Sequence, residues 1–143
     1  MTLVDTNVLV YAVDESSLHH DVARRWLERQ LSGTETVAFA WNALLGFVRL
    51  VTNPRIFARP LSVQEALDVV DAWLSQPVAT VVAPTGRHAA VLRDLLGPLG
   101  TAGNLTSDAH LAALAIEHGA SICSTDRDFA RFPGIELVHP VNG

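Results

Sequence analysis

Lysine is absent from this chain. All ten basic side chains are arginines, set against fifteen Asp and Glu for a net charge of −5. So mild an acidity gives no support for broad electrostatic capture of nucleic acid and leaves phosphate contacts to local arginine forks. The missing lysine also excludes the phosphate-cradling G-x-x-x-x-G-K-[ST] loop, and neither G-x-G-x-x-G nor a G-x-S-x-G elbow occurs. The single cysteine, Cys123, cannot close an internal disulfide, which fits a reducing cytoplasm. It sits in an apolar run and reads as core packing. No apolar run reaches the roughly 18 residues of a membrane span. No basic segment precedes an apolar stretch at the N-terminus, as a signal peptide requires. The expectation is a cytoplasmic protein without a membrane segment.

What is present is a core. With 143 residues, 49% apolar and 17% charged, the composition fits one folded domain over 1–143. Thr2 to Val4, Thr36 to Phe39, Val78 to Ala83, Ala120 to Ser124 and Ile135 to Val138 read as strands, Val78 to Ala83 as a buried one. Helical spacing covers His19 to Leu31 (face Val22, Trp26, Leu27) and Asn42 to Thr52 (face Leu44, Leu45, Val48, Val51). Ser62 and Glu65 form a capping box for a helix reaching Leu74. Thr85 to Leu96 is helical, and a strong helix capped by Thr106 or Ser107 runs to His118 with Gly119 as its stop. Apolar strands in βαβα order predict an α/β fold, a parallel sheet with helices on both faces.

In such sheets functional groups gather beyond the carboxyl ends of the strands. Asp5 ends the first strand in "TLVDTNVLVYA", Asp126 and Asp128 follow a later one in "STDRDF", and Asp108 opens the helix of "SDAHLAALAIEHG". Each has a local explanation: an Asx turn at Asp5, the helix dipole at Asp108, a helix cap at Asp126. Jointly they also fit oxygen ligation of a divalent cation, Mg²⁺ or Mn²⁺, which would give the strand-end Asp5 a partner.

"LVDTNVLVYA", "FVRLVTNPRIF" and "SDAHLAALAIEHGASICSTDRDF", in that order, resemble the PIN-domain ribonucleases, and among them the VapC toxins of toxin–antitoxin pairs. The resemblance spans essentially the whole chain. It implies a single PIN-like (Rossmann-like) domain and a Mg²⁺-dependent endoribonuclease. Asp5, Asp108 and Asp126 would hold the metal, Asp126 often through water and orienting the attacking water. It gives Thr6, Asn7, Ser124 and Thr125 supporting roles, and has Asp128 support the loop. It also implies RNA as substrate, a cognate antitoxin that blocks the acidic site, and a homodimer. Arg127, Arg49 and Arg55 are candidates for RNA contact, and Trp41, Leu44 and Phe47 for a docking surface.

One position departs from the pattern. Where the family usually carries a Glu ahead of its Phe-x-Arg stretch, this chain has Gly46. That favours an alternative, a catalytically weak PIN-like module binding RNA or antitoxin without turnover. A haloacid-dehalogenase-type phosphohydrolase wants an Asp where Asn7 stands and a later Lys, and a receiver domain likewise needs a Lys; both are disfavoured.

Overall fold

A computed structural model describes residues 1–141. Its centre is a five-stranded, all-parallel sheet in the order β3-β2-β1-β4-β5, formed by β1 (Thr2–Val4), β2 (Val37–Phe39), β3 (Ala79–Val81), β4 (Ser121–Cys123) and β5 (Leu137–Val138). Six helices cover it: α1 (Thr6–Val13), α2 (His20–Leu31), α3 (Trp41–Val51), α4 (Val63–Leu74), α5 (His88–Leu96) and α6 (Thr106–His118). This is the expected α/β class with helices on both faces.

The period-two alternation of the strands sorts the interior into two cores. Val4, Val37, Phe39 and Cys123 point to one face, where Trp26, Leu44, Phe47 and Val70 of α2, α3 and α4 close over them. Leu3, Ala38 and Ile122 point to the other, against α5 and the alanine-rich α6. Alanines Ala109, Ala112, Ala113 and Ala115 let α6 lie close to the sheet, buried along most of its length.

Thr6–Val13, to which the sequence pattern assigns no element, is a helix: Asp5 caps it, and Val8, Leu9 and Val10 are buried between sheet and helices. Several local expectations are corrected. Val78 to Ala83 contributes only β3, an edge strand with Val81 exposed, because among the described residues no strand pairs beyond it. The buried face of α2 is Ala23, Trp26, Leu27 and Leu31, with Val22 outward; that of α3 is Ala43, Leu44, Phe47 and Val51, with Leu45 outward. Leu44 and Phe47 lie wholly in the core, so of the docking candidates only Trp41 is exposed. Neither Thr106 nor Ser107 caps α6: a 3₁₀ turn (Gly103–Leu105) runs into it, and Thr106 hydroxyl donates back to the Gly103 carbonyl. The Ser62–Glu65 capping box forms with both arms, and Gly119 ends α6 at φ 67°, in the left-handed region.

Candidate functional site

Strand order reverses at β1: the chain moves one way to β2 and β3, then crosses back to β4 and β5. The crevice beyond the carboxyl ends of β1 and β4 is therefore the switch point where parallel α/β sheets bind ligands. Asp5 follows β1, and its backbone N–H still donates to the Cys123 carbonyl of β4. Ser124, Thr125 and Asp126 follow β4. The fold thus juxtaposes residues 119 apart in sequence, with Ser124 hydroxyl donating to Asp5 Oδ2 at 2.7 Å.

Asp5 is held by the protein itself. Its Oδ1 accepts the Thr6 backbone N–H at 2.7 Å, which caps α1, and its Oδ2 also accepts Asn7 Nδ2 at 3.1 Å. Asn7 Nδ2 reaches Ser124 Oγ at 3.1 Å, and Asn7 Oδ1 accepts the Thr125 N–H at 3.3 Å. Thr6, Asn7, Ser124 and Thr125 thus brace the two strand ends. Burial pushes the Asp5 carboxyl above its ordinary value; the Ser124 and Thr6 hydrogen bonds work against that, and the Asp126 charge adds to it.

Three other acids converge beside it. Asp108 in the first turn of α6 and Asp126 and Asp128 of the 3₁₀ turn after β4 each bring a carboxylate oxygen within 4.8 Å of the other two. Asp126 caps that turn (Arg127–Arg131), accepting the Asp128 N–H at 2.9 Å, and this fold-back brings both acids to one side. The Asp108 carboxyl is pushed up to about 6, first by burial and then by the charges of Asp126, Asp5 and Asp128. Negative charge is thus in excess here. An all-oxygen donor set of this spacing suits a hard divalent cation.

Of the sequence-derived acids, the structure groups Asp108 and Asp126, adds Asp128 to them, and places Asp5 alongside, tied to its own donors. Position 46 also belongs to this neighbourhood. A Cβ on Gly46 would stand 3.0 Å from Thr6 Oγ1 and 3.2 Å from Thr6 Cγ2, so α3 meets the start of α1 at closer range than a side chain allows without displacing Thr6. The Thr6 hydroxyl meanwhile donates to the Ala43 carbonyl of α3.

Away from the crevice, Glu117 accepts the Thr85 N–H at 2.9 Å and the Thr85 hydroxyl, and pairs with His88 Nδ1; His88 Nε2 meets His110 Nδ1 at 2.9 Å. Burial raises the Glu117 carboxyl, yet the hydrogen bonds from Thr85 and His88 outweigh it and hold the group below its ordinary value. His110 is lowered by burial and by His88. These contacts pin the start of α5 to α6. Nothing at the sequence level signals them, since Thr85 and Glu117 are 32 residues apart.

A five-stranded parallel sheet with acids at its switch point defines the class: residues 2–135 match the PIN domain family model, and the chain is a PIN domain. It belongs to the VapC family within that class. Ribonuclease VapC37 of Mycobacterium tuberculosis is 51% identical over 140 residues, covering 98% of this chain and 97% of its own. VapC ribonuclease Mb2897 of Mycobacterium bovis is 42% identical over 143 residues, 100% of this chain and 97% of its own. Among solved structures, VapBC2 from Rickettsia felis, bound to a DNA fragment from its promoter, matches with TM-score 0.71 at 22% identity, covering 96% of this chain and 97% of that one. That likeness shows the fold.

Proposed function

We propose that this chain is the toxin of a toxin–antitoxin pair and a Mg²⁺-dependent endoribonuclease, with Mn²⁺ as a possible substitute. The observation carrying this is the convergence of Asp108, Asp126 and Asp128 beside Asp5 at the switch point of a PIN fold. Asp5, Asp108 and Asp126 would hold the ion, and Asp128 joins them at the site. When bound, the ion would lower the pKa of a water and offset charge on the scissile phosphate. Asp126 is suited to orient the attacking water, its turn fixed by the Asp128 N–H and by its own N–H donating to Ser124 Oγ at 2.9 Å. Ser124 and Asn7 aim Asp5 by donating to it, and the Ser124 hydrogen bond favours its ionised form against the burial that raises the carboxyl. The loss of the family Glu at Gly46 leaves enough acids for one ion.

Relatives named VapC ribonucleases and neighbours solved as VapBC complexes support a cognate antitoxin as partner. The homodimer common in the family and a cytoplasmic location belong to the same proposal. Among the described residues no helix is long and apolar enough to cross a membrane. The test is cleavage of total cellular RNA by purified protein with Mg²⁺, with Mn²⁺ and with chelator. Metal-dependent cutting that Asp108→Asn loses supports the proposal; a folded wild type that cuts nothing under any condition favours a binding module without turnover.

A further inference from the structure

The acidic crevice repels the polyanion it would cut. Asp5, Asp108, Asp126 and Asp128 together exceed the charge of one divalent ion, so an RNA backbone needs a cation close by to enter. Two arginines are already engaged: Arg24 pairs with Glu28, and Arg131 lies 3.7 Å from Asp128.

Beyond the ends of β4 and β5 lies an open cavity of about 400 Å³ lined by Ser124, Thr125, Asp126, Arg127, Val138 and His139, among others. It shares Asp126 and Ser124 with the acidic site, so whatever fills it abuts the reacting centre. The Arg127 guanidinium is exposed and has no ion-pair or hydrogen-bond partner among the described residues. Just past β5, on the cavity's other side, His139 Nδ1 accepts the Val141 N–H at 3.2 Å. An accepting Nδ1 leaves the ring proton on Nε2, and that N–H has no partner among the described residues. A cavity at the low end of ligand-site volumes thus offers one planar, permanently charged fork and one ring N–H donor, a set suited to phosphate oxygens.

We propose that Arg127 and His139 form a subsite for the backbone phosphate of single-stranded RNA next to the one being cleaved. The subsite rests on the ribonuclease reading, and it assigns Arg127 and His139 to substrate binding and not to the chemical step. It explains how a chain of net charge −5 holds RNA at four acids without a broad basic face.

The test measures steady-state cleavage of total RNA with Mg²⁺, and binding of a dye-labelled random-sequence RNA oligonucleotide in chelator across a salt series. Arg127→Ala should raise KM about tenfold with a far smaller change in kcat, and flatten the log–log salt slope by about one. His139→Ala should raise KM by less, because it removes a single ring N–H donor. Arg127→Lys should recover the slope but only part of the affinity, having lost the fork. Arg29→Ala, on the far end of α2, serves as the control and should match wild type. A folded Arg127→Ala protein with wild-type KM and salt slope overturns the subsite while leaving the nuclease standing. So does a loss confined to kcat. A wild type that neither binds nor cuts RNA overturns both.

Discussion

Asp108→Asn should make the metal-free protein more stable while abolishing its activity. Asp108 titrates near 6 in the fold against 3.8 in an unstructured chain, because burial and the charges of Asp126, Asp5 and Asp128 all disfavour its ionised form. The folded state therefore binds this proton more tightly than the unfolded state. Stability from that difference is fully present below about 3.8 and is lost as pH rises through about 6. At neutral pH ionised Asp108 works against the fold. Taken in full, the penalty is about 3 kcal/mol. The side chain is partly open to solvent, which screens it to the order of 1–2 kcal/mol.

Replacing the carboxylate with an amide of the same size removes the repulsion without opening a cavity. In chelator at neutral pH the variant should melt roughly 3–6 °C higher than wild type. The gain should shrink toward zero near pH 4, where wild-type Asp108 is also neutral. Added Mg²⁺ should raise the midpoint of wild type and not of the variant, reversing or narrowing the gap. Scanning calorimetry with and without chelator reads all of this. A variant no more stable than wild type in chelator, or a gain that persists unchanged at pH 4, would refute the electrostatic account of the site.

Gly46→Ala sets a helix-propensity gain of about 1 kcal/mol against displacement of Thr6, so its net effect should be small; combined with Thr6→Ala the gain should be recovered, and denaturant titration of the double-mutant cycle measures the coupling. Glu117→Ala strands the Thr85 and His88 donors and should cost about 1–3 kcal/mol. Because the Glu117 carboxyl is held below its ordinary value, its contribution should persist at neutral pH and fade as pH falls through the folded value, which urea melts at several pH values will follow. Cys123 is buried, and its thiol is pushed up to about 12, first by burial and then by the Asp5 charge, so a thiol reagent at neutral pH should label it only after denaturant is added.

Much of this was legible in the sequence for a physical reason. Asp5, Asp108 and Asp126 each interrupt or open an element that is otherwise apolar, and the βαβα order sends such positions to one end of a parallel sheet. The resemblance has Asp128 support the loop; its place beside Asp108 depends on a 3₁₀ turn that no periodicity announces. The helix over Thr6–Val13 was hidden by β-branched residues; tertiary burial and the Asp5 cap decide it. The edge position of β3 follows from strand order, which local pattern does not encode. The Thr85–Glu117–His88–His110 network needs α5 already packed on α6 before its members meet.

The acids at the β1–β4 switch point are proposed to hold one catalytic divalent ion. This is tested most directly by titrating purified protein with Mn²⁺, following free ion by electron paramagnetic resonance, and assaying RNA cleavage on the same samples. One site per chain is expected, filled in step with the onset of cleavage and lost together with it in Asp108→Asn and Asp126→Asn. Cleavage that proceeds in folded protein with no ion bound, or Mn²⁺ uptake unchanged in both variants, would contradict it.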